Sequence, residues 1–195
     1  FFVTANTIPD ALICDDNNDG FWDINLSDYD ATILGTQDAT KYHISYHLSP
    51  ADASNANAPL STLYTNSSNP QTIHVRIENI DNVACYDTTS FIIEVFDSPV
   101  ANIVPDQFIC DDNNDGVWSF DFNLLDNTVL GGQLAADYAI SYHKELVGAE
   151  NGTDALVFPY INTNEFEIIY VRIENKNNIS CFSTTSFDLK VFNTP

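Results

Sequence analysis

The sequence has very little positive charge and contains no methionine. Six Lys and Arg residues stand against 28 Asp and Glu residues, which gives a formal net charge of -22. Such a field repels the phosphates of nucleic acids and of anionic lipids, while it concentrates cations near the surface. We therefore expect no nucleic-acid partner. Because Met is absent even at Phe1, we expect the chain to be a processed or excised piece.

Long apolar runs and catalytic motifs are missing as well. No stretch approaches the roughly 20 apolar residues that cross a bilayer, so we expect no membrane span in this segment. No nucleophile elbow, zinc-protease helix or phosphate loop can be found. His47 and His143 recur in a Ser-Tyr-His motif with no second metal ligand or nucleophile recurring beside them, which predicts ordinary strand-surface residues. We predict that the chain is not an enzyme.

The chain contains two copies of one module. The segment Ile13-Cys14-Asp15-Asp16-Asn17-Asn18-Asp19-Gly20 returns 96 residues later, and the same offset relates Val75-Arg76-Ile77-Glu78-Asn79 to residues 171–175. About 45% of the positions in 5–99 are identical in 101–195, without a gap. We therefore predict two tandem domains, residues 1–99 and 100–195. Because the chain ends in phase with the repeat, we expect further repeats as neighbours.

Apolar residues alternate with polar ones along several short segments of each copy. Ile73, Val75 and Ile77 alternate with His74, Arg76 and Glu78, a period of two that is typical of half-buried strands. Segments rich in Asn, Ser, Pro and Ala, such as 49–57, are predicted to be loops, and the one helical segment is 27–34. The pattern predicts an all-β fold of two tandem immunoglobulin-like Greek-key β-sandwiches.

Each copy holds one pair of cysteines at the same spacing, Cys14 with Cys85 and Cys110 with Cys181. Pairing within each copy is the simplest connectivity, and it would suit an oxidising, extracytoplasmic location. Buried free thiols and a cysteine zinc site are the alternatives. Zinc requires further Cys or His ligands at short spacing, which are absent here. We therefore predict four disulfide-bonded cysteines.

An acidic loop follows the first cysteine of each copy and has the spacing of a calcium-binding loop. Oxygen-bearing side chains two positions apart converge on one hard cation, and the glycine permits the sharp turn that brings the next carbonyl inward. An asparagine- and aspartate-rich turn that binds nothing is the alternative. We predict about one calcium ion per repeat. The predicted ligands are Asp15, Asn17, Asp19, the carbonyl of Phe21 and Asn25 in the first copy, and Asp111, Asn113, Asp115, the carbonyl of Val117 and Asp121 in the second.

The last ligand of each set replaces a missing carboxylate. The twelfth position of the loop, which is a bidentate Glu in an EF-hand, is Leu26 or Phe122 here. The eleventh position, Asn25 or Asp121, offers an oxygen as the chain enters a strand. The ninth position, Asp23 or Ser119, is a further candidate, either directly or through water.

The repeated motifs resemble those of a family of large surface proteins. The pattern Cys-Asp-Asp-Asn-Asn-Asp-Gly-(Phe/Val)-Trp, followed by Ser-Tyr-His, Val-Arg-Ile-Glu-Asn and Cys-x-x-Thr-Thr-x-Phe, is similar to repeats in flavobacterial proteins of the Bacteroidota. Those proteins are exported by the type IX secretion system and include gliding-motility and adhesin-like proteins. The resemblance implies Asp121 as a ligand and an extracellular location at the bacterial cell surface.

Several functions agree with these observations. The first is a calcium-binding structural repeat that extends an adhesin stalk or a filament. The second is an adhesive module that binds a surface glycan or protein through the diverged loops 49–58 and 145–154. The third is a homopolymer whose subunits exchange a strand. We favour the structural repeat and keep the other two as alternatives.

Overall fold

The chain folds into two compact units that are built mainly from antiparallel strands. The computed structural model describes residues 2–194; one unit ends at Phe96 and the other begins at Asp97. The strands confirm the predicted all-β fold, with each unit forming a sandwich of two sheets. Among the described residues, none of the helices has the length and apolar character needed to traverse a bilayer.

The first unit pairs a large sheet with a small one. The large sheet has the order β1-β6-β5-β3, and β2 pairs with β4 in the small sheet. The strands are β1 (Ala11–Asp15), β2 (Asp23–Asn25), β3 (Tyr42–His47), β4 (Leu63–Thr65), β5 (Gln71–Asn79) and β6 (Asn82–Asp97).

The second unit repeats this arrangement. The large sheet has the order β7-β12-β11-β9, in which β7 runs parallel to β12, while β8 pairs with β10. The strands are β7 (Gln107–Asp111), β8 (Ser119–Phe120), β9 (Tyr138–His143), β10 (Tyr160–Ile161), β11 (Phe166–Asn175) and β12 (Phe182–Asn193).

Each unit has its own hydrophobic core between its sheets, as the alternating pattern predicts. Ile73, Val75 and Ile77 of β5 are completely buried, and Phe91 of β6 packs with them. The equivalent residues of β11 and β12 form the second core. Complete burial of one such side chain stabilises a fold by about 1.5–3 kcal/mol, so these alternating strands supply much of the stability of each unit.

Short helices connect the strands. The predicted helix at 27–34 is observed as a 3-10 turn, Leu26–Tyr29, followed by α1 (Asp30–Leu34). The segment 49–57, predicted as a loop, instead contains α2 (Pro50–Asn55). Ser49 caps this helix by accepting a hydrogen bond from the Asp52 amide at 3.0 Å, a start signal that its loop-like composition concealed. The second unit has α3 (Asp126–Leu130) and α4 (Leu146–Asn151) at the equivalent places.

Candidate calcium loops and cysteine ends

The acidic loop of the first unit is closed by hydrogen bonds from its own backbone. Asp15 ends β1 with 1% of its surface exposed, and its Oδ2 accepts from the Gly20 amide at 2.7 Å. Asn17 Oδ1 accepts from the Asp19 amide, and Asp19 Oδ1 accepts from the Phe21 amide. Gly20 has φ +78°, a conformation that favours glycine. These bonds place Asp15, Asn17 and Asp19 side by side in one closed loop.

The loop of the second unit has the same geometry. Asp111, 2% exposed, accepts from the Gly116 amide at 2.7 Å, and Asp115 accepts from the Val117 amide at 2.8 Å. Asn113 Nδ2 donates to Asp115 Oδ2 at 2.8 Å, close to the 2.9 Å of the first loop. The two loops are therefore copies in structure as well as in sequence.

A buried asparagine supports each loop through hydrogen bonds, and no sequence motif predicted it. Asn66, 2% exposed, accepts from the Trp22 amide at 2.6 Å and donates to the carbonyl of Gly20 at 2.9 Å. Asn162 makes the same two bonds in the second unit, to the Trp118 amide and the Gly116 carbonyl. The available signal was the retention of this Asn in both copies, within a segment where most neighbours differ.

The donor set of each loop fits a calcium ion. An oxygen that accepts one amide hydrogen keeps a second lone-pair direction, so the backbone bonds leave Asp15, Asn17 and Asp19 able to bind a cation. Calcium takes about six to eight oxygens, so the carbonyl of Phe21 and solvent would complete the shell. Within residues 2–194, no group of three or more His, Cys, Asp and Glu side chains is arranged around a metal position. The fit therefore depends on amide and carbonyl oxygens besides the two carboxylates.

The ninth and eleventh positions of the loop differ in their surroundings. Asp23 lines an open groove of about 450 Å³ together with Asn17 and Asp19, and accepts a hydrogen bond from Thr65. Asn25 instead bonds to Asp28 and Ser27 of the following 3-10 turn.

The second unit has a similar arrangement at the eleventh position. Asp121 caps the turn Phe122–Leu125 by accepting from the Asn123 amide at 3.2 Å. In the first unit the ninth position, Asp23, is thus better placed as an additional ligand than the eleventh, Asn25.

The repeated Arg and His residues have structural partners. Arg76, 4% exposed, donates to Glu78 at 2.6 Å and to the carbonyls of Ala53 and Ser54 in α2. His47 is fully buried and lies 2.6 Å from the carbonyl of Asn57, so the prediction of a strand-surface residue was wrong. Arg172 and His143 repeat both arrangements.

The cysteines do not pair within each copy. Cys14 and Cys181 are disulfide-bonded, whereas Cys85 and Cys110 are free and exposed. Cys110 is opposite Phe192 in the β7–β12 pair, and Cys181 precedes Phe192 by 11 positions on nearly the same strand. At roughly 3.3 Å per residue that distance is about 36 Å. A disulfide requires roughly 4.4–6.8 Å between Cα atoms, so the predicted pairing is wrong.

Each unit instead carries one cysteine at either end. The carbonyl of Cys181 accepts from the Asn175 amide, and Asn175 Nδ2 donates to the carbonyl of Asp97, where the second unit begins. Cys110 lies at the opposite end, beside the last residues of β12. We call these the entry end and the exit end.

The first unit has the same two ends. β1 neighbours β6, and Asp10 accepts from the Ile92 amide just as Asp106 accepts from the Asp188 amide in the second unit. Cys14 is therefore at the exit end and Cys85 at the entry end.

Three solved structures match nearly the whole chain, with low sequence identity and low TM-scores. Protocadherin Gamma B7 extracellular cadherin domains 1–4 are 13% identical to the chain, with a TM-score of 0.27. The match covers 97% of this chain and 50% of the protocadherin chain. Human mucin-like protocadherin EC1-2 is 8% identical with a TM-score of 0.28, covering 97% of both chains. Bacteroides ovatus SGBP-B of a mixed-linkage glucan utilization locus, in complex with a heptasaccharide, is 7% identical with a TM-score of 0.24, covering 96% of this chain and 43% of that one.

The family comparison covers nearly the whole chain. A family described as the Flavobacterium inter-domain disulphide bond domain matches residues 10–99 and again residues 106–195. No curated protein matches the chain. The two matches confirm the predicted resemblance as far as a flavobacterial repeat family. The chain belongs to the Flavobacterium inter-domain disulphide bond domain family, of which it contains two tandem members.

Proposed function

We propose that the chain is a structural, calcium-binding tandem repeat of an extracellular cell-surface protein, where it extends an adhesin stalk or a filament and catalyses no reaction. The observation that carries the proposal is the position and oxidation state of the cysteines. Cys14 at the exit end of one repeat and Cys181 at the entry end of the next are oxidised, while Cys85 and Cys110 are free. Such bonds persist outside the reducing cytosol.

In this proposal Cys14 pairs with Cys181, as the name of the family suggests. The bond would close a loop from residue 14 to residue 181 that contains both acidic loops and most of both sandwiches. Closing so long a loop stabilises the folded chain by about 5 kcal/mol in the chain-entropy model. A pulling force would then pass through the disulfide and not through the interior of either repeat. A stalk or filament that is exposed to shear requires this property.

Calcium has a complementary role in this proposal. Each acidic loop lies directly after the first strand of its repeat, next to Cys14 or Cys110. A bound cation would neutralise Asp15 and Asp19, whose carboxylates otherwise repel each other in a strongly acidic chain. It would thereby hold the exit end of each repeat rigid, in the first repeat beside the disulfide of Cys14. The proposed export by type IX secretion agrees with an oxidising, calcium-containing exterior.

The glycan-binding alternative receives less support. The diverged segments 49–58 and 145–154 contain α2 and α4, whose carbonyls accept hydrogen bonds from the buried Arg76 and Arg172. Their main-chain geometry therefore supports the sandwich. Divergence of their exposed side chains is the ordinary behaviour of surface loops and points to no ligand.

Single-molecule stretching between the two ends of the chain tests the proposal. Without reductant, we expect almost no extension from unfolding, because the segment from residue 14 to residue 181 is bypassed by the covalent bond. After reduction, both repeats should unfold and release about 500–600 Å of additional length, at roughly 3.3–3.6 Å per residue. The Cys14→Ser variant is the control and should behave as the reduced chain does in both conditions. Two full unfolding events in unreduced wild-type chain would contradict the proposal.

A further inference from the structure

The first unit has an open groove that combines aromatic and polar side chains beside its acidic loop. Phe21 in this groove is 52% exposed, and Trp22 is partly buried against the core. The volume of about 450 Å³ is within the range of about 300–1,000 Å³ that small-molecule sites have. We call this surface the acidic-loop groove, and it is lined by Asn17, Asp19, Phe21, Trp22, Asp23 and Thr65.

Asp23 and Thr65 form the polar side of the acidic-loop groove. They lie opposite each other in β2 and β4, and the Thr65 hydroxyl donates a hydrogen bond to Asp23 Oδ1. Both residues are exposed. A carboxylate has about four acceptor positions, so Asp23 keeps acceptor capacity for the hydroxyl groups of a ligand.

An aromatic wall next to hydrogen-bond acceptors matches the chemistry of a sugar ring. One face of a pyranose carries C–H groups, which pack on an aromatic ring, while the hydroxyl groups at its edge donate to carboxylates. Asp19, Asp23 and the net charge of -22 repel an anionic sugar. A neutral saccharide is therefore the ligand that fits this groove.

The second unit lacks this combination of groups at the equivalent positions. Ile161 lies opposite Ser119 in the β8–β10 pair and is 56% exposed, so an alkyl group stands where the first unit has a hydroxyl. Trp118 and the buried Asn162 that bonds its amide are retained. The two units therefore share the supporting structure but differ in the groups that face a ligand. The second unit has Val117, Ser119 and Ile161 in place of Phe21, Asp23 and Thr65.

We propose that the acidic-loop groove of the first unit binds a neutral saccharide. A sugar ring packs against Phe21 and Trp22, and its hydroxyl groups donate hydrogen bonds to Asp23. The Thr65 hydroxyl positions the Asp23 carboxylate through the hydrogen bond to its Oδ1. This inference goes beyond the proposed structural role and relies on neither the disulfide nor calcium. The site uses no residue of the segments 49–58 and 145–154.

Fluorescence of the two-repeat chain tests the proposal, because the Trp118→Phe variant leaves Trp22 as its single tryptophan. The chain is screened against an array of neutral oligosaccharides of glucose, mannose, galactose and xylose, and those that bind are titrated. We expect a saturable change in Trp22 emission with a neutral oligosaccharide and no change with oligogalacturonate. Binding to no neutral oligosaccharide would overturn the proposal. A response to a trimethyl-lysine peptide alone would also overturn it, because the groove would then bind cations.

Variants that copy the second unit separate the groove from the rest of the fold. Replacing Phe21 by Val and Thr65 by Ile introduces residues that the same module already has in the second unit. The double variant should therefore fold, while its affinity falls about tenfold, equivalent to about 1.4 kcal/mol. The Ile80→Ser variant removes an apolar residue that is 55% exposed between β5 and β6, and it should bind as the wild type does. Wild-type affinity in the double variant, with folding verified by thermal melting, would overturn the proposal.

The reverse exchange gives an independent measurement. The Val117→Phe, Ser119→Asp and Ile161→Thr substitutions together should create a second site and double the number of saccharides bound per chain in calorimetry. An unchanged number in the folded triple variant would overturn the assignment of binding to these positions. Calcium titration and cysteine mapping of the same variants report the proposed function separately, so the failure of one proposal is distinguishable from the failure of the other.

Discussion

The two repeats have chemically different side chains at one equivalent buried position, a neutral amide in the first and a carboxylate in the second. In the first repeat Gln71, 8% exposed, accepts from the Tyr64 hydroxyl at 3.0 Å. In the second repeat Glu167, 6% exposed, accepts from the Tyr160 hydroxyl at 2.5 Å and from Lys144 at 3.2 Å. A neutral amide needs only hydrogen bonds, whereas a buried carboxylate also needs a cation.

The cation is supplied by a compensating difference between the repeats. Lys144 stands where the first repeat has Leu48. Burial raises the pKa of Glu167, but the hydrogen bonds from Tyr160, Thr163 and Lys144 outweigh it and lower that pKa to about 2. The comparison teaches that one module can exchange a neutral for a charged interior group when a neighbouring surface position changes with it.

Removal of the carboxylate should give the largest difference between the repeats. In the Glu167→Ala variant the buried hydroxyl of Tyr160 loses its acceptor and the part-exposed Lys144 loses its partner, so we expect a loss of about 2–4 kcal/mol. In the matched Gln71→Ala variant only neutral bonds are lost, and we expect about 1–3 kcal/mol. Urea unfolding with a probe specific to each repeat measures both values. Equal losses would show that the charge is unimportant.

Acid should distinguish the repeats in a second way. Because the folded-state pKa of Glu167 is below its ordinary value of 4.5, its stabilising contribution is complete above about pH 4.5 and is lost as the pH falls toward 2. The contribution is up to about 3 kcal/mol. In the Glu167→Gln variant, the second repeat should lose this part of its acid dependence. An unchanged pH profile in the variant would contradict the assignment.

The sequence correctly predicted the features that depend on periodicity and local spacing. It did not predict the features that depend on contacts between residues far apart in the chain. Alternation placed Ile73 and Val75 in the core, and the loop spacing brought Asp15 and Asp19 together. The predicted cysteine pairing was wrong because equal spacing in two copies gives no information about which end of a strand each cysteine occupies. The prediction that His47 lies on the strand surface was wrong because the segment after α2 buries it, and this burial is a tertiary contact.

We expect a smaller difference between the repeats in the affinity of their acidic loops for calcium. Asp23 lines the groove with Asn17 and Asp19, whereas the second repeat has the neutral Ser119 at this position. We therefore expect the first repeat to bind calcium about tenfold more tightly than the second, because affinity rises with the number of ligand charges. Calorimetry on the Asp15→Asn and Asp111→Asn variants isolates each site, and Asp23→Ser should remove the difference. Tighter binding by the second repeat would favour Asp121 as the ligand instead.

The pairing of the four cysteines in the unreduced, monomeric chain decides whether a covalent bond joins Cys14 to Cys181. Free thiols are alkylated, the chain is digested, and the linked peptides are identified by mass spectrometry. We expect one linked pair containing Cys14 and Cys181, with the alkyl group on Cys85 and Cys110. Linked peptides joining Cys14 to Cys85 and Cys110 to Cys181 would contradict it.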